Sequence, residues 1–297
     1  MKLMVLDGNS VINRAYYGVH ALTTKDGFFT NAIYGFLNIL EKLRAEEQPD
    51  ALCVAFDLKA PTFRHLQYDG YKATRHPMPD ELAMQMPVMK DVLRAMQIPI
   101  FECEGWEADD VIGTIGKRCS HAGWNCVIVT GDRDSLQLID EHVTVKLVSS
   151  KLSQTVAVNY DPAKFREEYG FDPIHLIDLK ALMGDSSDNI PGVAGVGPKT
   201  ATQLLLDYGT LDGVYAHLDA IKEKLRAKLE QGKDSAYLSY DLATIRCEAP
   251  IAFSPEACLV QPYDEAALYR LFTRLEFTRL ISRYGLHAPQ ELSLIHI

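Results

Sequence analysis

Nine carboxylates in this chain fall where a fold gathers side chains. Asp7 follows the apolar run Leu3-Met4-Val5-Leu6, and Asp57 follows Ala51-Leu52-Cys53-Val54-Ala55-Phe56. Asp132 and Asp134 follow Cys126-Val127-Ile128-Val129 through Thr130-Gly131. Glu107, Asp109 and Asp110 open the stretch that carries Val111, Ile112 and Ile115, and Asp185 and Asp188 lie between Gly184 and Gly192. Acids in a first helical turn also complement the helix dipole, and Asp-Ser-Ser-Asp-Asn is ordinary turn chemistry, so neither of these two clusters marks a site alone. Joined to the strand-end aspartates they do, because gathered carboxylates repel one another unless a cation sits between them. A hard divalent ion wants oxygen ligands, and one Mg²⁺ takes only one or two carboxylates, so nine acids imply at least two ions. Paired ions about 3.5–4 Å apart suit the in-line displacement of a phosphoryl group. No GxSxG and no convincing Cys/His arrangement supplies another nucleophile, and the His and Cys spacing is wrong for zinc.

Two further segments could hold phosphates. In Ile190-Pro191-Gly192-Val193-Ala194-Gly195-Val196-Gly197-Pro198-Lys199-Thr200-Ala201, three glycines precede a helix start. Backbone N–H groups beside a helix N-terminus bind anions. The segment is not a Walker A loop, since Pro198 intervenes before Lys199 and no strand precedes it. Residues 59–76 (KAPTFRHLQYDGYKATRH) set Lys59, Arg64, Lys72 and Arg75 against the single acid Asp69, with Phe63, Tyr68 and Tyr71 interleaved. Cations among aromatics suit single-stranded nucleic acid. Arg14, seven residues after Asp7, adds a cation near the same edge.

The elements that must position these groups follow from the apolar pattern. Strands are expected at 3–6, 51–56, 98–101, 126–129, 143–148 and 155–158, with helices at 31–47, 80–96 and 107–119 between them. That alternation predicts a mostly parallel sheet flanked by helices. In such sheets ligands bind outside the carboxyl ends of the strands. Beyond about residue 172 only helices are expected, at 173–183, 198–208, 212–231, 234–246 and 264–284. Domains are therefore expected at 1–172 and 173–290. The tail Leu292-Ser293-Leu294-Ile295-His296-Ile297 matches a translated sequencing adaptor, so 291–297 is expected to be non-native and the natural chain to continue. With 297 residues, 47% hydrophobic and 24% charged, the chain reads as an ordinary globular protein. No run of about 18 apolar residues suggests a membrane span, and a cytoplasmic location is expected. The six cysteines are scattered without a CxxC and read as small buried hydrophobes. The net charge of −10 argues weakly against a nucleic-acid partner, for without nine site acids the remainder carries only −1.

The strings VLDGNSVINRAYY, VAFDLKAPTFRH, GYKATRHPMP, GWEADDVIGT, VTGDRDSLQL and LMGDSSDNIPGVAGVGPKTA resemble the 5′ nuclease (5′→3′ exonuclease) domain of bacterial DNA polymerase I, within the flap endonuclease superfamily. The likeness runs in order to about Leu286. It implies a PIN-like/resolvase-like α/β domain with a helical arch over the site, then an all-α helix–hairpin–helix (SAM-like) domain. It also implies cleavage of 5′ flaps, nicks and RNA primers with two or more Mg²⁺ or Mn²⁺ ions. On this resemblance the metal acids fall on Asp7, Asp57, Glu107, Asp109, Asp110, Asp132, Asp134, Asp185 and Asp188, none missing. Asp7, Asp109, Asp110, Asp132 and Asp134 would hold the catalytic pair, the rest serving as ligands or outer acids. Tyr71, Lys72 and Arg75 would grip the scissile phosphate, with Arg14 and Arg64 nearby, and Lys72 and Arg75 would neutralise the transition state. Gly192, Gly195, Gly197, Lys199 and Thr200 would hold duplex, with K⁺ on the hairpin carbonyls. A monomer is expected, with a polymerase domain following in the full-length gene. A ribonuclease with a similar acidic cleft and a non-catalytic DNA scaffold are the alternatives. The hairpin speaks against the first and the complete acid set against the second.

Overall fold

The computed structural model describes residues 1–151 and 154–289, apart from the side chains of 150, 151, 154 and 155. The tail expected to be non-native lies outside the described residues. The described strands are β1 (Lys2–Asp7), β2 (Ala51–Ala55), β3 (Ile100–Phe101), β4 (Asn125–Thr130), β5 (Val143–Lys151) and β6 (Gln154–Tyr160), in the order β3-β2-β1-β4-β5-β6. All neighbours are parallel except β5 and β6, which form an antiparallel edge. The sheet is thus mixed but mostly parallel, and the order reverses between β1 and β4. The chain connections proceed outward in opposite directions from that point, so the carboxyl ends of the parallel β1 and β4 leave a crevice there.

Alternate residues of each strand face opposite sides, and both sides are dry. Leu3, Val5, Cys53, Cys126 and Ile128 pack with Val111, Ile112 and Ile115 of the helix Ala108–His121. The same cluster continues into the helices Leu176–Met183, Pro198–Tyr208, Leu211–Ala216 and Glu223–Gln231. Met4, Leu6, Leu52, Val54, Val127 and Val129 face the helices Gly8–Gly18, Asn31–Glu47 and Gln85–Ala95. Leu268, Phe272 and Leu280, from the helices Glu265–Arg274 and Thr278–Arg283, belong to this second cluster. The last helices therefore return to the α/β part. Four cysteines are buried and Cys103 and Cys247 partly so, and all six are free thiols.

The segment expected to form the helical arch is built of short helices. Between β2 and Gln85–Ala95 the described residues contain only the short helices Phe63–Gln67 and Asp80–Ala83. Pro61, Pro77 and Pro79 each remove a backbone donor and Gly70 adds freedom, which prevents a continuous helix. The segment instead lies down across the sheet's carboxyl edge. The expected helices at 212–231 and 264–284 are each broken, at Ala216–Glu223 and Arg274–Thr278. Among the described residues no helix is long and apolar enough to cross a membrane.

Phe272 is fully buried in the second cluster, against the α/β layer. Phe272→Ala should lower unfolding stability by about 3–5 kcal/mol in urea titrations, showing that the last helices are integral to the core.

Candidate active site

Asp7 ends β1 and caps the next helix, accepting from the Ser10 N–H at 2.9 Å. The Thr130 hydroxyl, at the end of β4, donates to its other oxygen at 2.8 Å. The Gly131 N–H donates to Ser10 Oγ at 2.8 Å, which ties the β1 and β4 ends together. The Asp57 N–H donates to Asn9 Oδ1, and the Ala108 N–H donates to Asp57 Oδ1 at 2.8 Å. The β2 end is thereby joined to the helix Ala108–His121. Gly8 is required here, because a Cβ would stand 2.3 Å from the Phe56 ring. These local bonds set Asp7, Asp57, Asp109 and Asp132 around one cleft of about 320 Å³, with Asn9, Ser10, Asn13, Lys72 and Arg75 also on its walls.

The electrostatics of this cleft are unfavourable. Burial, with Asp57 and Asp132 adding repulsion, raises the Asp7 pKa from 3.8 to about 6 despite the Ser10 and Thr130 hydrogen bonds. Burial and then Asp132 and Asp7 hold Asp109 well above its ordinary value. Asp57 is open to the cleft's water, yet the surrounding protein raises it too. Burial and Asp132 push Asp134 up to about 7, in spite of Lys180. Carboxylates whose burial and mutual repulsion outweigh the nearby cations behave in this way, and a divalent ion would relieve them.

The other acids already have cations. Lys180 bridges Asp134 and Asp185, donating to Asp185 Oδ2 at 2.5 Å. Burial works against the charge on Lys180, but the two aspartates raise its pKa, while the ammonium brings Asp185 down to about 2 against the effect of burial. Arg75 donates to Asp188 Oδ1 at 2.5 Å, and Lys72 donates to Glu107 Oε1 at 2.8 Å. Arg64 grips both oxygens of Asp110, at 2.7 and 2.8 Å. Among the described residues no three acids, His or Cys stand close enough to hold one ion as they are. The nine expected ligands therefore divide. Asp7, Asp57, Asp109 and Asp132 fit an ion's oxygen shell once side chains adjust. Asp134 and Asp185 would have to exchange Lys180 for it, and Glu107 and Asp188 would exchange Lys72 and Arg75.

Several of the expected site residues are engaged within the protein. Asp110 is fully buried and spends its oxygens on Arg64, the Glu107 N–H and the Arg246 N–H, so it does not face the cleft as a catalytic acid. Arg64 is 2% exposed and Tyr71 4%, so neither offers DNA a surface. Tyr71 instead donates to Glu107 Oε2 at 2.9 Å. At the hairpin, Gly192 and Gly195 have φ of +61° and +77°, as glycine permits. The Gly195 carbonyl accepts from the Lys228 ammonium at 2.9 Å and the Gly192 carbonyl from Ser235 at 2.7 Å, so each already has one donor where the resemblance implies K⁺. Gly197 and Lys199 are exposed and Thr200 half-buried at the start of Pro198–Tyr208. Arg14 donates to the Gly131 carbonyl at 2.8 Å, beside the cleft. Lys180 and Thr130 were not foreseen. The sequence signal for Lys180 is a lone cation inside the apolar run 176–183, five residues before Asp185.

Residues 2–170 match the family model of the 5′-3′ exonuclease N-terminal resolvase-like domain, and residues 171–266 match the model of its C-terminal SAM fold. The chain belongs to the 5′-3′ exonuclease family. It is 46% identical over 286 residues to DNA polymerase I of Caldicellulosiruptor bescii, covering 96% of this chain and 34% of that protein. It is 40% identical to DNA polymerase I of Bacillus subtilis, covering 99% and 34%. The chain thus spans about a third of the length of these curated relatives. Among solved structures, the T5 D15 protein co-crystallised with metal ions superposes with TM-score 0.67 at 21% identity, covering 96% of this chain and 99% of that one. The catalytic core of Rad2 in complex with DNA substrate gives 0.60 at 18%, covering 92% and 86%. At those identities the likeness is one of fold.

Breaking a buried ion pair leaves an uncompensated charge, so Asp110→Ala should cost about 3–5 kcal/mol of stability in EDTA. Asp109→Ala, which removes repulsion, should leave the melting midpoint unchanged or higher. For Asp7 the folded state binds a proton that the unfolded chain has released between its ordinary 3.8 and about 6. Stability in EDTA should therefore fall across that window as pH rises. Melting curves of Asp7→Asn against the parent should show the variant gaining relative stability from pH about 4 to about 6, and a pH-independent difference would refute the assignment.

Proposed function

We propose that this chain is a structure-specific 5′→3′ exonuclease and 5′-flap endonuclease, forming the N-terminal part of a DNA polymerase I. The observation that carries this reading is the convergence of Asp7, Asp57, Asp109 and Asp132 on one cleft beside Lys72 and Arg75. Its substrates would be DNA with a 5′ flap or nick and RNA primers, and the product would carry a 5′-phosphate. Free cysteines throughout suit a reducing, cytoplasmic setting, and the protein would act as a monomer.

Asp7, Asp57, Asp109 and Asp132 would hold Mg²⁺ or Mn²⁺, with Asp134, Asp185, Glu107 and Asp188 joining as their cations withdraw. Such ions supply a nucleophile at neutral pH and polarise phosphoryl oxygens. The protein's own part is orientation and charge. Asn9 and Ser10 fix the strand ends so that the acids cannot splay apart. Lys72 and Arg75 lie at the cleft wall on mobile-length side chains, and a phosphodiester entering the cleft offers them a new anion. From there they would neutralise charge as it develops in the transition state. Lys199 and Thr200 would meet the backbone of the flanking duplex, where the N-terminus of an 11-residue helix favours phosphate.

A 5′-flap duplex incubated with Mg²⁺ should be cut near the junction, and EDTA should stop it. Cutting of RNA alone, or binding without cutting, would remove the proposal. Lys199→Ala should weaken duplex binding and reduce the salt slope by up to about one ion in titrations of affinity against salt. An unchanged slope would exclude a phosphate contact at that residue.

A further inference from the structure

Two parts of the molecule must keep a fixed separation if one phosphodiester is to be chosen: the hairpin that holds duplex and the cleft that cuts. Several contacts join them, Lys180 between Asp134 and Asp185 among them, and one runs from the hairpin through the helix Lys233–Ala243 to a single buried side chain. At the hairpin, the Gly192 N–H donates to Ser239 Oγ at 2.9 Å and the Gly192 carbonyl accepts from Ser235 Oγ at 2.7 Å, both on the helix Lys233–Ala243. A Cβ on Gly192 would stand 2.2 Å from the Gly184 N, so the hairpin has no slack there. At the far end of that helix, the carbonyls of Leu242 and Thr244 accept from Arg64 Nε at 2.9 Å and Nη2 at 2.6 Å. The remaining N–H groups of the guanidinium go to both oxygens of Asp110 and, at 3.2 Å, to Glu107 Oε2. Asp110 sits one residue from Asp109, in the first turn of the helix that points into the cleft.

We infer that Arg64 is a positioning residue that fixes the spacing between the glycine hairpin and the acidic cleft, and thereby which phosphodiester is cut. The inference rests on the nuclease reading above. A guanidinium has five N–H donors in a planar fork, and all five are used here. An ammonium has three and no fork, so lysine cannot bridge two backbone carbonyls and a bidentate carboxylate at once. Arg64 also lies under Phe63, whose ring stands 4.5 Å from its guanidinium carbon and 4.2 Å from that of Arg246, so the group is held in register. A second tether secures the same turn. Gln137 Nε2 donates to the Ala243 carbonyl at 3.0 Å, and the Ile245 N–H donates to Gln137 Oε1 at 2.8 Å. Gln137 belongs to the segment Arg133–Leu138 that follows the β4 end, and it does not line the acidic cleft.

The test is the length distribution of products from an end-labelled 5′-flap duplex, read at single-nucleotide resolution in Mg²⁺. The parent should give one dominant length. In Arg64→Lys the rate at that position should fall about 10–100-fold, the cost of a misplacement of an ångström or so, and neighbouring phosphodiesters should take a comparable share of product. Gln137→Leu, which leaves the Ala243 carbonyl and the Ile245 N–H unpaired and so lowers the melting midpoint without breaking an ion pair, should scatter the cut in the same sense to a smaller degree, and it decides the matter if Arg64→Lys does not fold. Lys72→Ala should slow cleavage without moving it. Parent-like lengths in both tether variants, or equal scatter in Lys72→Ala, would overturn the role of Arg64 while leaving the nuclease reading intact. A parent chain that cuts no flap would sink both.

Discussion

Repulsion among the carboxylates at the sheet's carboxyl edge is the constraint around which the rest of this molecule is arranged. Left alone, Asp7, Asp57, Asp109 and Asp132 would spread toward solvent. The neutral hydrogen bonds between strand ends oppose that: Thr130 to Asp7, Gly131 to Ser10, Asp57 to Asn9 and Ala108 to Asp57. None of these donors carries charge, so they hold the acids in place without neutralising them. The raised Asp7, Asp57 and Asp109 show how incomplete the compensation is. A site built in this way is stabilised by whatever cation enters it, at the expense of stability without one.

The second ring of acids is treated differently, and the contrast has a physical cause. Glu107, Asp110, Asp185 and Asp188 lie close enough to Arg64, Lys72, Arg75 and Lys180 to form ion pairs, and those of Arg64, Lys72 and Arg75 hold the segment 62–75 down onto the edge. Lys72 sits at φ +54°, a left-handed conformation that costs a non-glycine residue on the order of 1 kcal/mol. Its N–H donates to the Asp188 carbonyl at 2.9 Å and its ammonium reaches Glu107, which together hold it there. Pairs of this sort divide into two kinds. The Arg64–Asp110 pair is sealed from solvent and permanent, whereas half of the Arg75 side chain is exposed, so its pairing with Asp188 is exchangeable.

What the sequence made legible follows from which forces are local. The three apolar runs ending at Asp7, Asp57 and Asp132 read directly as buried parallel strands, because alternation disappears when both faces are dry. Their neighbourhood at one edge follows from parallel direction alone. The antiparallel β5–β6 edge carries no such mark, since its apolar content is much like that of a parallel strand. The pairing of Arg64 with Asp110 is hidden in the sequence for a related reason. Residue type and spacing put both near the cleft, but only the packing of Phe63, Trp106 and the turn at 242–246 decides that their charges point at each other. Lys180 escaped notice because a single lysine in an apolar helix reads as a surface residue, and its aspartate partners, Asp134 and Asp185, are distant or on the following turn.

The charge distribution removes the apparent conflict between a net −10 and the polyanionic partner proposed above. Four of the acids line the cleft, and five more are paired with Arg64, Lys72, Arg75 and Lys180 around it. The surfaces a phosphate backbone could meet are set by local groups: Lys199 at an exposed helix start, with Lys228 beside Gly195, and Arg75 at the cleft wall. At physiological salt the screening length is about 8 Å, so such groups act on a nearby phosphate largely without interference from acids on the far side of the molecule. Net charge governs long-range approach, and the local arrangement governs the grip. In this chain the two have opposite sign, so a nucleic acid of the proposed kind would be gripped by the local groups once near the site rather than drawn in by the net charge.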